Sequence, residues 1–226
     1  MFKNIVCLGD SFFDGAELHD KKLTAPSLIS KHFNCNFHNF AQSGVGILSL
    51  IEQFHKSKSL ITDDTLLLYV LPPSGRIDFF QNEEENKFVI DYWYFSNVIK
   101  GTFDGPIHEN LDSNESFVKY KKLYDAIGKD TDFISMGEYI HLSGLHYFFN
   151  LIKDIKNIGM IGHPQWMSIE YLNTEVNELI TKNNLLFNNI GFTGWSKQNK
   201  FEIMKYGHPG VDAHNELYNL FLENIS

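Results

Sequence analysis

The sequence predicts an α/β domain with a central parallel β-sheet and helices on both of its faces. Short apolar, β-prone segments alternate with segments whose apolar residues recur every three or four positions. The segment Thr65–Leu71 is apolar at nearly every position, which is typical of a central parallel strand that is covered on both faces. The strand segments are followed by Gly, Pro, Ser or Asp, the residue types that favour turns.

Three strand–helix units make up the first part of the chain. The first strand is predicted over residues 2–8, and a helix follows Thr24. The second strand is predicted over residues 35–41, and the apolar stripe of the next helix begins at Ile47. The third strand is Thr65–Leu71. Because such units follow one another directly, we expect their strands to lie parallel in one sheet.

The rest of the chain continues the helical pattern after an interruption. Residues 77–115 are predicted as a mixed insertion or lid, since they combine an acidic run, an aromatic cluster and turn residues. The further predicted elements are two helices, a short strand and a final helix, over residues 115–128, 132–157, 158–161 and 211–225. Asp212 is expected to cap the final helix. We find no repeat or linker, so residues 1–226 are predicted to form one domain.

Composition and charge exclude several classes of protein. The 226 residues include 19 Lys and Arg against 28 Asp and Glu, a net charge of −9, so no basic face is available for nucleic acid. No stretch approaches the roughly 20 apolar residues that a membrane span needs. The first ten residues are too short and too soon charged for a secretory signal, which predicts a cytoplasmic protein.

Three short segments are predicted to meet at one edge of the sheet. In open parallel α/β sheets, ligands bind outside the carboxyl ends of the strands. Gly9-Asp10-Ser11-Phe12 follows the first strand, Asn39-Phe40-Ala41-Gln42-Ser43-Gly44 follows the second, and Gly207-His208-Pro209-Gly210 precedes the last helix. A serine at a strand end, a glycine whose N–H can approach a substrate and a late histidine are the groups that nucleophilic acyl transfer requires.

In order and spacing, these segments resemble three of the sequence blocks of the SGNH/GDSL hydrolases. The resemblance implies a three-layer, flavodoxin-like α/β fold and the hydrolysis of esters through an acyl-enzyme, without a cofactor or a metal. It implies that Ser11 is the nucleophile and that His208 is the base. It also implies that the N–H groups of Ser11 and Gly44 stabilise the negative charge on the carbonyl oxygen, as an oxyanion hole.

The stretch that follows the third strand departs from the family pattern. The family places an oxyanion-hole asparagine there, whereas this chain has Pro72, Pro73 and Ser74. Because proline has no N–H, the third donor would be Ser74 or the guanidinium of Arg76, or the hole has only two donors. Arg76 is the only arginine. It could instead bind an anionic group of the substrate, or form an ion pair with Asp78 or a nearby glutamate.

The acid that orients the histidine is also missing from its family position. The family places it three residues before the histidine, where this chain has Lys205. One alternative is a Ser–His dyad in which a backbone carbonyl orients His208. The other is a carboxylate from elsewhere, such as Glu202 or Asp212.

Two further residues of these segments have open roles. Asp10 could cap the turn that holds Ser11 or act as an acid. His214 is expected to be structural, since it falls inside the final helix, but another register would make it the base, with Asp212 beside it.

We therefore predict a serine esterase that acts on a small or carbohydrate-linked ester, for example an O-acetyl group. The main alternative is a catalytically inactive relative that binds a glycan or a protein. A flavodoxin-like nucleotide or flavin binder is a second alternative, although the chain has no phosphate-loop pattern. A metal-dependent hydrolase built from His208, Asp212 and His214 is a third.

Overall fold

The computed structural model describes most of the chain. The described residues are 2–80, 87–91, 117–119, 121–122, 125, 133–165, 167–188 and 190–225. The strands are β1 (Asn4–Leu8), β2 (Asn36–Asn39), β3 (Thr65–Leu71), β4 (Arg76–Phe80), β5 (Lys87–Asp91) and β6 (Asn157–Ile161). The α-helices bounded within these residues are α1 (Ser11–Asp14), α2 (Ala25–Phe33), α3 (Ile47–Ser57), α4 (Phe133–Ile152), α5 (Glu170–Lys182), α6 (Gly191–Gln198) and α7 (Val211–Ile225). Short 3₁₀ helices cover Lys21–Leu23 and Lys58–Leu60.

The central sheet is parallel and has the strand order β2-β1-β3-β6. β1 lies between its two partners, with Ile5 opposite Phe37 on one side and Leu66 on the other. A bridge between Met160 and Leu186 adds one more parallel pairing beside β6. This order is that of flavodoxin-like sheets, and it confirms the predicted fold class.

Helices cover both faces of the sheet, because alternate residues of each strand point to opposite sides. Leu67, Tyr69 and Leu71 of β3 join an apolar cluster with α3, α4 and α5. Leu66 and Val70 join a second cluster with α1, α2, α6 and α7. The continuous apolar run of β3 is thereby buried on both faces, and the chain forms three layers.

The element boundaries agree with the sequence in some places and differ in others. β3 and α7 have the predicted bounds. The helix predicted over residues 132–157 ends at Ile152, because the Asn157 side chain donates hydrogen bonds to the carbonyl oxygens of Ile152 and Ile155. Asp212 lies exposed within the first turn of α7 and not ahead of it. α5 and α6 were not predicted.

The predicted insertion is described only in part. β4 and β5 pair as an antiparallel hairpin, which is consistent with a mixed insertion. The acidic run 83–85 and the aromatic cluster 92–95 lie outside the described residues. Of the helix predicted over 115–128, the six described residues are helical. In the part of the chain that the structure describes, no helix combines the length and the apolar character needed to cross a bilayer.

Asp78 of β4 joins the hairpin to the N-terminus of α3. Its buried carboxylate accepts hydrogen bonds from Gly46 N at 2.9 Å, Ser49 N at 3.0 Å and Ser49 Oγ at 2.5 Å. A helix N-terminus has N–H groups without intrahelical acceptors and favours a negative charge. Asp78 therefore fixes the start of α3 and the loop before it.

Replacement of Asp78 should destabilise the protein. Asp78→Ala leaves three buried donors without an acceptor, so we expect it to lower the free energy of unfolding by about 3 kcal/mol, as urea unfolding would measure. Asp78→Asn retains an acceptor and should lose about half as much. The exposed Asp63→Ala is the control. A loss below about 1 kcal/mol for Asp78→Ala would show that the carboxylate does not fix this helix.

Candidate active site

Ser11 lies at the carboxyl end of β1, as the first residue of α1. Asp10 caps this helix, since its Oδ1 accepts a hydrogen bond from Phe12 N at 3.2 Å. Gly9 has a φ of 132°, and a Cβ at this position would lie 2.3 Å from a Val70 side-chain carbon. Only glycine therefore allows the chain to turn sharply here against β3 and to present Ser11 at the edge of the sheet.

Gln53 of α3 holds this turn in place. Its buried side chain accepts from Gly9 N at 2.6 Å and donates to Gly9 O at 3.0 Å. Gly9 O also accepts from Gln42 N, in the loop that follows β2. The turn before Ser11 is thus bonded both to a helix and to the neighbouring strand-end loop.

His208 projects from a short loop that is cross-linked by its own backbone. Gly210 N donates to Glu202 O, and Met204 N donates to His208 O. Gly207, with a φ of 93°, forms the turn immediately before the histidine. The loop leads directly into α7, and it presents the imidazole toward Ser11.

Ser11, His208 and Glu17 form a hydrogen-bonded chain. His208 Nε2 lies 2.7 Å from Ser11 Oγ, and His208 Nδ1 lies 2.6 Å from Glu17 Oε2. An ionised carboxylate can only accept, so Nδ1 carries the proton and donates it to Glu17. Nε2 is then the acceptor for the Ser11 hydroxyl, which is the tautomer that a general base requires.

The ionised form of Glu17 is stabilised by several donors. Burial alone would raise its pKa, but hydrogen bonds from the His208 ring and from the N–H groups of Tyr206 and His208 lower it. Tyr206 N donates to Oε1 at 2.9 Å and to Oε2 at 3.1 Å. Glu17 therefore binds both the ring and the backbone of the loop that bears it.

Sequence reasoning did not find Glu17. Both carboxylates that it proposed, Glu202 and Asp212, are exposed, and Glu17 is the carboxylate that accepts from His208 Nδ1. The prediction that Glu202 or Asp212 orients the histidine is therefore wrong. Lys205, at the family position of the acid, is exposed and lies over the Tyr206 ring. Glu17 lies six residues after Ser11, and no motif in the sequence marks it.

His214 is part of the core. Its Nδ1 accepts a hydrogen bond from Ala25 N at 3.4 Å, and its ring packs against Phe192. Burial lowers its pKa to about 4. The alternative in which His214 is the base is therefore wrong, since Ser11 bonds to His208. The described residues contain no group of three His, Cys, Asp or Glu side chains that could hold a metal ion, and this includes His208, Asp212 and His214.

Gly44 lies in the loop after β2, on the far side of β1 from β3. It has a φ of 78°, and a Cβ there would meet no atom within 4 Å. Ser43 Oγ donates to Asp14 Oδ2 at 2.7 Å, and Asn39 Nδ2 donates to Phe13 O at 2.9 Å. These bonds hold the Gly44 loop against the helix that bears Ser11.

Arg76 and Ser74 lie just beyond β3. Arg76 Nη1 is 3.9 Å from Asp10 Oδ2 and donates to Val45 O at 3.4 Å. Arg76 thus lies next to the acid that precedes the nucleophile, whereas Asp78, its expected partner, caps α3. Ser74 is buried. Burial raises the pKa of Asp10 to about 6, although the Arg76 charge opposes the shift.

No protein-family model matches the chain, and no curated protein matches it.

Comparison by structure does find similar proteins. A member of the lipolytic protein G-D-S-L family from Veillonella parvula matches 97% of this chain and 96% of its own, with a TM-score of 0.50 and 13% identity. Phospholipase A1 from Streptomyces albidoflavus matches 100% of both chains, with a TM-score of 0.52 and 12% identity. A family two carbohydrate esterase from Clostridium thermocellum matches 99% of this chain and 63% of its own, with a TM-score of 0.50 and 10% identity.

The structural class follows from these matches. The chain has the three-layer fold of the SGNH/GDSL hydrolases, as the resemblance of its three segments predicted. At this level of identity the similarity concerns the fold alone.

The buried Asp10 should make stability depend on pH. Its folded-state pKa of about 6 lies above the ordinary pKa of an aspartate, 3.8, so it contributes stability at low pH that is lost as the pH rises through about 4 to 6. Relative to Asp10→Asn, the wild type should lose up to about 3 kcal/mol of unfolding free energy between pH 4 and pH 7.5. Urea unfolding across this range measures the difference, with the exposed Asp154→Asn as control. Parallel pH profiles for wild type and Asp10→Asn would contradict the prediction.

Proposed function

We propose that the protein is a serine hydrolase that cleaves esters through an acyl-enzyme. The observation that carries this proposal is the chain of two short hydrogen bonds, Ser11 to His208 and His208 to Glu17, at the carboxyl edge of the sheet. A nucleophile bonded to a base, which is itself oriented by a third group, is the arrangement that activates serine. The shared fold with G-D-S-L lipolytic proteins supports the same conclusion.

In the first half of the reaction, Ser11 Oγ attacks the carbonyl carbon of the ester. His208 Nε2 takes the hydroxyl proton, and Glu17 stabilises the resulting imidazolium through Nδ1. The tetrahedral intermediate then collapses, the bond to the alcohol oxygen breaks, and His208 gives its proton to the departing alcohol. The products of this half are the free alcohol and an acyl group on Ser11.

During the attack, a negative charge develops on the carbonyl oxygen. Hydrogen-bond donors must stabilise this charge. Ser11 is the first residue of α1, so its N–H has no intrahelical acceptor. The Gly44 loop is held against α1 by the hydrogen bonds of Ser43 to Asp14 and of Asn39 to Phe13 O. We assign the N–H groups of Ser11 and Gly44 to the oxyanion hole, with Ser74, after β3, as the proposed third donor in place of asparagine.

In the second half, water replaces the alcohol. His208 takes a proton from the water as it attacks the acyl carbon, the bond to Ser11 Oγ breaks, and the proton passes from His208 to Ser11. A carboxylic acid leaves, and the starting state returns. These steps involve only side chains and backbone of this chain and one water molecule.

The proposed substrate is a small or carbohydrate-linked ester, for example an O-acetyl group. One structural neighbour is a carbohydrate esterase, which supports this class. The alternative of an inactive glycan- or protein-binding relative was based partly on the missing orienting acid. Glu17 now occupies that role in the geometry, which favours the enzyme.

Removal of the nucleophile should abolish activity. Ser11→Ala should lower kcat for p-nitrophenyl acetate by at least about 10³-fold, because the remaining groups cannot form the acyl-enzyme. A fluorophosphonate probe should label wild type, with the adduct on Ser11 by mass spectrometry, and should not label Ser11→Ala. Wild-type protein that neither hydrolyses the ester nor reacts with the probe would refute the proposal and favour the binding alternative.

Removal of the orienting carboxylate should slow the enzyme without destroying the site. Glu17→Gln keeps the size of the side chain but no longer enforces the Nδ1–H tautomer of His208, so kcat should fall by about 10²–10⁴-fold. Glu202→Gln and Asp212→Asn are matched controls and should retain kcat within about twofold, since both carboxylates are exposed. Equal losses in Glu202→Gln and Glu17→Gln would refute the assignment of Glu17.

A further inference from the structure

His163 is a second histidine at the catalytic edge, and the mechanism above does not use it. It follows β6 by two residues, so it lies at the same edge of the sheet as Ser11 and Gly44. In the strand order, however, Gly44 and His163 follow the two outer strands, β2 and β6. Gly44 therefore lies on one side of the nucleophile, and Ser74 and His163 lie on the other.

Phe12 places the His163 ring beside the catalytic pair. The Phe12 ring packs edge-on against His163, with centroids 5.1 Å apart, and against His208, with centroids 5.5 Å apart. A Cβ at Gly162 would lie 2.4 Å from a Phe12 ring carbon, so only glycine lets the end of β6 approach this closely. One phenylalanine, adjacent to the nucleophile, thus supports both imidazoles.

The loop that bears His163 is held in position by Gln165. Gln165 Nε2 donates to Pro72 O and to His163 O, each at 3.2 Å. The loop after β6 is thereby bonded to the loop after β3, which carries Ser74. The His163 backbone is fixed, and its ring packs on Phe12.

The ring nitrogens of His163 have no hydrogen-bond partner within the described residues, and the residue is partly exposed. Burial lowers the pKa of its imidazole to about 4. The positive charges of Arg76, His208 and Lys197 act in the same direction. The ring is therefore neutral near pH 7, with one N–H donor and one nitrogen acceptor, and both are available to a ligand.

A hydroxyl group is a ligand that suits such a ring, because it can donate to the acceptor nitrogen or accept from the N–H. The alcohol part of the substrate is the part that reaches this side, since His208 must give its proton to the leaving alcohol oxygen. β1 and β6 are two strand spacings apart, about 10 Å, and the Phe12 ring contacts both the His163 and the His208 rings.

We propose that His163 is a specificity-determining residue that hydrogen-bonds a hydroxyl on the alcohol part of the ester, so that the enzyme prefers esters of polyols and sugars. This inference rests on the proposed ester hydrolysis. It assigns to His163 a contact with substrate, separate from the proton transfers of His208.

The test compares two acetate esters that differ only in hydroxyls, glycerol 1-monoacetate and n-propyl acetate. Wild type should prefer the glycerol ester in kcat/KM by at least about 10-fold. His163→Phe retains a ring against Phe12 but has no polar atoms, so it should lose about 10–100-fold on the glycerol ester and less than about threefold on propyl acetate. His163→Gln should keep part of the preference. The exposed His146→Phe on α4 is the control.

The outcomes separate this inference from the proposed function. Equal losses on both esters in His163→Phe would overturn it, because the ring would then act on the chemical step or on folding. Unchanged kinetics in His163→Phe, or a wild type without preference, would also overturn it. Fluorophosphonate labelling of Ser11 in each variant reports an intact site. A wild type that hydrolyses neither ester nor p-nitrophenyl acetate would refute the proposed function itself.

Discussion

The Glu17 carboxylate lies just after α1 and binds the loop that precedes α7. The geometry at Ser11 depends on that contact. Glu17 accepts from the ring and the backbone of His208, 191 residues away in sequence, and from Tyr206 N. The ring nitrogens of a histidine on a loop can point in several directions. Two partners, a carboxylate that accepts from Nδ1 and a hydroxyl that donates to Nε2, leave a single orientation.

The parallel sheet creates the conditions for this contact. β1 lies between β2 and β3, so the loops after all three strands begin at one edge. Gly9 and Gln53 fix the turn before Ser11 against β3 and α3. Asp78 fixes the start of α3. The position of the nucleophile is therefore set by packing and backbone hydrogen bonds that do not involve the reacting groups.

Local patterns in the sequence predicted the elements whose burial is simple. β3 is buried on both faces and is apolar at nearly every position, whereas α7 is buried on one face and shows a clear helical periodicity. Ser11 and His208 were predicted because each lies in a short motif at a strand or helix end. Glu17 has no such pattern. It acts because a turn with a φ of 66° at this residue brings it to a loop formed near the other end of the chain, and no local signal reports a contact over that distance.

The titratable groups around Ser11 differ in charge, and the difference bears on which leaving group the site can bind. Behind Ser11, the buried Asp10 lies near Arg76, and burial holds the pKa of Asp10 at about 6. Beside it, Glu17 keeps its charge because backbone and ring donors surround it. His163, on the β6 side, is kept neutral by burial and by the surrounding positive charges. The neutral ring of His163, which has no hydrogen-bond partner among the described residues, thus suits a leaving group that is polar and uncharged.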